Sequence, residues 1–224
     1  MGLFEKLYAP ERKTDAPPVP EKGFKLYWFL MTTHITKLVL LNALFILFCL
    51  PVVTIPAAMT AMTRVLMKLV RDGNCLIWQE YWGEFKTNFF GRFGMFLLLA
   101  ALPYAVFFYM SIFGVKGTLL TFVPLFFLVL VFLVLCYFFP LAAMVDLRAG
   151  QTLKNALYLC ILEWKSTLKL LLVAAVYALH VLFFPYTVPL ILLLLFSFSQ
   201  LAVCMIINPV IVRRFEATDV DTGA

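Results

Sequence analysis

Charge is what this sequence has least of. Only 13% of its 224 residues are Asp, Glu, Lys or Arg, about half the share a soluble domain usually carries, and the mean hydropathy is +0.99. Such a composition does not describe a water-facing surface. The twelve acids all lie outside the long apolar runs, so no carboxylate is expected at mid-membrane depth, where an ion-coupled transporter would need one. There are two histidines, His34 and His180, and no G-x-S-x-G, H-E-x-x-H or P-loop. An enzyme needs a nucleophile with its base, paired carboxylates or a metal cluster. None of these patterns is present, so the reading is non-enzymatic, with no catalytic residue, no metal and no cofactor. The five cysteines (Cys49, Cys75, Cys136, Cys160, Cys204) are scattered, odd in number and without a C-x-x-C, which indicates neither a disulfide framework nor a zinc site. The first 23 residues are polar and proline-rich, so no cleaved leader is expected there.

What the chain has instead is long uncharged stretches. Residues 93–115, 117–145 and 170–212 contain no Asp, Glu, Lys or Arg, and about 20 apolar residues span a bilayer core as a helix. Pro185 and Pro189 break the last run into two. Four spans follow, at about 93–114, 118–140, 168–184 and 188–212. Upstream, residues 38–50 are apolar apart from Asn42, and Pro51 and Pro56 then bracket Val52-Val53-Thr54-Ile55. Each proline lacks an N–H and disfavours helix in the residue before it, so a bent hairpin of two short helices, 36–50 and 56–71, fits better than one unbroken helix.

Whether that hairpin crosses once or returns is decided by charge. Lys and Arg number six before Leu38, five over 64–92, one at Lys116, four over 148–169, none in the Pro185 turn and two at Arg213-Arg214. A single crossing divides them seven to eleven, whereas a returning hairpin divides them seventeen to one. Positive loops stay in the cytoplasm, so the second arrangement is preferred. The fold expected is all-α: a polytopic membrane helix bundle of six membrane helices, the first two a short proline-bounded hairpin, with cytoplasmic amphipathic helices, or five spans if the hairpin crosses once. The domain layout is a cytoplasmic tail over 1–23, one bundle domain over 24–213 and a tail over 214–224, placed in a membrane with both termini cytoplasmic. The net charge of +6 is spread through loops, which speaks for orientation in the bilayer and against nucleic acid.

Two cytoplasmic segments look amphipathic. Trp78, Tyr81, Trp82, Phe85 and Phe89 fall on one helix face, and Leu153, Ala156, Leu157, Cys160, Ile161 and Trp164 on another. Candidate partner-docking residues are therefore Trp78, Trp82, Phe85, Asn88, Asn155 and Trp164. Near the start, Phe24, Tyr27, Trp28 and Met31 recur at helical spacing, as a helix lying in the interface or as the opening of the first span. Polar groups in lipid are costly unless paired, so Asn42, Arg64, His180, Gln200 and Asn208 are the candidate intramembrane polar residues. For Arg64 the readings are an anion contact or snorkelling to the headgroups.

The core L-F-C-L-P-V-V-T-I at 47–55, the A-x-x-T-A at 57–61, K-L-V-R at 68–71, Phe85-Lys86-Thr87-Asn88-Phe89, Phe139-Pro140-Leu141 and Leu153-Lys154-Asn155-Ala156-Leu157 together resemble the YesL-like family of bacterial integral membrane proteins of unknown function. A Gly is usual in that family where this chain has Pro56. The resemblance implies association with carbohydrate-utilisation loci, beside sugar uptake systems, and supplies no catalytic or ligand residues. The expected partners are the bilayer and either a sugar uptake transporter or a second copy of the chain. The expected role is an accessory or regulatory component of carbohydrate uptake, the alternative a stand-alone facilitator of a small solute or lipid.

Overall fold

The structure, a computed structural model, describes residues 23–87, 89–112, 122–145, 147–183 and 196–216. The two tails up to residue 22 and from 217, Asn88, and the turns expected at 114–117 and 185–189 lie outside the described residues. Within them every regular element is a helix.

Helices α1 (Phe24–Thr33) and α2 (Ile35–Cys49) meet at His34 with a bend of 80°. Thr32 sits beside the joint, and its hydroxyl donates back to the Trp28 carbonyl at 2.9 Å, a contact that bends helices. Pro51 follows the end of α2, and a 3-10 turn (Val52–Thr54) leads into α3 (Ile55–Asp72). Pro56 stands in the first turn of α3, where a missing N–H costs nothing. The helix ends on Gly73 at φ 70°, a left-handed cap. Then come α4 (Ile77–Lys86), α5 (Phe89–Ile112), α6 (Phe122–Met144), α7 (Ala149–Leu162), α8 (Trp164–Phe183) and α9 (Phe196–Ile211), which runs into a π turn (Val212–Glu216).

The core forms around α3, which packs against α2, α4, α5, α6 and α9. Its small residues Ala57, Ala58, Thr60, Ala61 and Thr63 are all buried, and small side chains let neighbouring backbones approach closely. Met62, Val65, Leu66 and Leu69 fill the remaining space at 1% exposure or less.

Six membrane helices are expected, and the described residues show fewer. Among the described residues three helices are long and apolar enough to cross a membrane: α5, α6 and α9 with its extension to Phe215. The bent pair of α1 and α2 makes a fourth if it counts as one span. The second limb of the opening hairpin drops out for a physical reason. Helix α3 carries Arg64, Lys68, Arg71 and Asp72 within 18 residues, and its sides are taken by protein helices rather than left for lipid. Helix α8, whose first turns hold Lys165 and Lys169, is not counted with the three.

The second amphipathic segment is also rearranged. The helix stops at Leu162, Glu163 breaks it, and Trp164 opens the next one. Thr152, Ala156 and Leu159 are buried, whereas Leu157, Tyr158 and Ile161 are exposed. The buried face is thus rotated from the stripe expected, because α7 folds back on α6 and offers it the narrow side that Ala156 provides.

Candidate functional site

Four elements converge on a charged cluster. Arg64 and Lys68, one turn apart on α3, face Glu80 and Glu84, one turn apart on α4. Lys68 donates to the Glu80 carboxylate, and the Arg64 guanidinium lies 3.9 Å from each carboxylate. Arg92, in the first turns of α5, donates to the Glu84 carboxylate and, at 3.1 Å, to the Glu84 carbonyl. Both arginines also reach the end of α6: Arg64 donates to the Ala143 carbonyl and Arg92 to that of Ala142, the latter at 3.2 Å. The last carbonyls of a helix have no partner inside it and carry the negative end of the dipole. Two guanidiniums therefore close α6, and two carboxylates balance them. Arg92 is nearly buried, at 5% exposure, a position a charge occupies only when paired.

Beyond this cluster, α3 meets α9 through polar contacts. Gln200 donates to the Thr63 hydroxyl at 3.0 Å, and Thr63 donates to the Met59 carbonyl at 2.7 Å. One helical turn or more from the cluster, Arg71 donates from Nε to the Asn208 side chain at 2.8 Å. Asn42 on α2, Thr60 on α3 and Ser197 on α9 are buried as well. These side chains make up the buried polar set of the three helices. Its hydroxyls and amides are hydrogen-bonding groups without acid–base power at neutral pH.

A third constellation ties the end of the chain down. Glu163, 9% exposed at the α7–α8 joint, accepts from Arg213 at 2.6 Å and from Arg214 at 3.0 Å. The Tyr137 and Thr167 hydroxyls lie 2.9 Å apart, and Thr167 donates to the Cys160 carbonyl at 2.8 Å. The same joint is therefore pinned to α6.

The aromatic stripe of α4 is a stacked ladder. Trp78 lies on Trp82 and Trp82 on Phe85, with ring centroids 5.9 and 5.8 Å apart. Phe48 packs against Tyr81, Trp82 and Phe85, and Lys86 sits 4.7 Å over the Trp82 ring. Tyr81 is the inward member, fully buried, and its hydroxyl has no hydrogen-bond partner among the described residues. Burial pushes that phenol above its ordinary value. In the loop before α4, burial pushes the Cys75 thiol up to about 11, and on α7 it raises Cys160. Protonated thiols are poor nucleophiles. Among the described residues no three His, Cys, Asp or Glu side chains gather as a metal site requires.

The candidates from sequence are dispersed. Arg64 lies in the charged cluster, Gln200 against Thr63, Asn42 buried on α2, and Asn208 against Arg71. His180 is half-buried near the end of α8. Trp78, Trp82 and Phe85 share the ladder, with Trp78 exposed. Asn155 is half-buried on α7, Trp164 is exposed at the start of α8, and Asn88 lies outside the described residues. Sequence reasoning missed Glu80, Glu84, Arg92, Lys68, Thr63 and Glu163. A signal existed for the first pair: two acids spaced i, i+4 on α4 match two cations spaced i, i+4 on α3.

Residues 38–111, from within α2 almost to the end of α5, match the model of a family described as "Protein of unknown function, DUF624". No curated protein and no solved structure matches the chain.

Proposed function

We propose that this chain is a non-enzymatic membrane protein acting as an accessory or regulatory component of bacterial carbohydrate uptake, with both termini in the cytoplasm. The carbohydrate label comes from the family resemblance, and the sidedness from the seventeen-to-one division of Lys and Arg. The observation that carries a partner-binding role is the α7–α8 joint. Tyr158, Ile161 and Trp164 are 64%, 81% and 63% exposed on elements rigidly held by Glu163 and Thr167. Large apolar side chains on a fixed helix face suit a helix-in-groove contact. A photocrosslinker at Ile161, in cells growing on a sugar that needs dedicated uptake, is expected to capture a transporter subunit. Capture of lipid alone, or of another copy of the chain alone, would sink the reading.

A second reading, a stand-alone facilitator, is favoured by the number of buried polar side chains, Asn42, Thr60, Thr63, Ser197 and Gln200. Purified protein in liposomes would then move a solute on its own, and Gln200→Leu would slow that flux.

A further inference from the structure

The opening hairpin, residues 35–72, has a depth that can be measured against its neighbours. Arg64 on α3 and Arg92 on α5 donate to adjacent carbonyls, Ala143 and Ala142, so these two arginines stand at the same level. From Arg92, α5 runs on to Ile112, about 30 Å at 1.5 Å per residue, which is the full thickness of a hydrocarbon core. From Arg64 back to the start of α3 at Ile55 the distance is only about 14 Å. The two run in the same direction, because the 3-10 turn at the hairpin tip packs against α5.

Burial along α6 stops at a matching depth. On α5, Met95, Phe96 and Leu99 pack against the core, and one face is exposed along the whole helix, from Phe90 through Leu97 and Leu102 to Ile112. On α6, Val131 is buried and Phe126, further from the cluster, is 63% exposed. Protein thus buries α6 over one half of its length only.

The chemistry of the tip fits that placement. At membrane depth every backbone polar group must find a partner within the protein. Pro51 and Pro56 remove two N–H groups from the turn. Thr54 satisfies two carbonyls: its N–H bonds the Pro51 carbonyl at 2.9 Å, and its hydroxyl donates to the carbonyls of Phe48 and Pro51. The outward side chains are apolar, with Leu47, Leu50 and Val53 exposed by 58%, 75% and 49%.

We infer that the hairpin is a re-entrant half-span: it enters from the face that holds Arg64 and Arg92, turns near the bilayer midplane at residues 50–54, and leaves by the same face. Its tip is covered by the acyl chains of one leaflet. Positive-residue counting alone describes only where its ends lie, since a hairpin crossing fully and returning would divide the charges in the same way.

The test is depth at the tip. Full-length chain with its five native cysteines replaced by alanine, carrying Val53→Cys, is reconstituted in phosphatidylcholine liposomes. Labelling by a membrane-impermeant maleimide is expected to be lost from both faces, and a spin label there should collide with oxygen in preference to a nickel chelate. An Ile112→Cys control should label from the face opposite Arg92. Labelling of Val53→Cys from that opposite face would mean a full crossing, and labelling from the Arg92 face a turn outside the bilayer; either overturns the inference. Where the cysteine-free chain does not fold, Val53→Trp in the native background measures the same depth. Its added fluorescence should be quenched most by lipids brominated near the acyl-chain ends, and strongest quenching by shallow bromines overturns the inference.

Discussion

The guanidinium of Arg64 closes the end of α6 by donating to the carbonyl of Ala143, 79 residues later in the chain. The contact joins the short hairpin to a full-length apolar helix, and it makes the charged cluster a structural device before it is anything else. Arg64 and Arg92 supply the positive charge that a helix C-terminus favours, and Glu80 and Glu84 keep that charge from standing alone.

Removing the Glu84 carboxylate is expected to be costly. Its side chain and that of Arg92 are 11% and 7% exposed, and breaking a buried pair from one side costs about 3–5 kcal/mol. Glu84→Ala should lower the unfolding midpoint in detergent markedly. Glu84→Gln, which keeps an acceptor, should lose less. Equal, negligible losses in the two variants would show that the cluster contributes little.

The Gln200–Thr63 contact should behave as an ordinary interhelical hydrogen bond in a membrane, with a coupling of roughly 0.6 kcal/mol and at most about 1.7. A double-mutant cycle with Gln200→Leu and Thr63→Val, read by unfolding in detergent, measures it. A coupling indistinguishable from zero would remove the bond from the account of how α9 finds α3.

Glu163 should guard the C-terminal basic pair. Arg213 and Arg214 side chains are 62% and 44% exposed, and both pair with this carboxylate. Glu163→Ala is expected to speed tryptic cleavage after both arginines, seen as a faster loss of the intact C-terminus by mass spectrometry. An unchanged cleavage rate would mean that the π turn holds its shape without the clasp.

The Cys75 thiol should be slow and pH-sensitive. Burial lifts its pKa from 9.0 to about 11, so the folded protein keeps the proton longer than the unfolded chain does. The sign follows from linkage: this thiol's contribution to stability is present below pH 9 and is lost as pH rises from 9 to about 11. Alkylation of Cys75 at pH 8 is expected to lag far behind that of the unfolded chain, and comparable rates would contradict its burial.

How much of the fold is legible in the sequence differs from element to element. The uncharged runs announce α5, α6 and α9, since twenty apolar residues have few other places to go. Pro51 and Pro56 mark the hairpin turn, because two prolines five residues apart each remove an N–H and disfavour helix in the residue before them. Trp78, Trp82 and Phe85 are expected on one face, and they stack there. The candidate polar residues are harder. Asn42 and Gln200 stand out for being costly in lipid, but Thr63, the partner of Gln200, looks in the sequence like one more small residue. Glu80 and Glu84 fall on the polar side of an amphipathic helix, and that side is turned inward onto α3.

Periodicity states which side chains share a face and says nothing of what the face meets. Composition and spacing alone settled the helical class, the position of the turn and the three long apolar helices, because each follows from the cost of leaving backbone or charge unsatisfied in a given solvent. Packing decided the rest. That α3 is a buried hub, that its cations pair with α4 and close α6, and that the hairpin is half as deep as its neighbours all depend on contacts between residues far apart in the chain, which no local pattern encodes.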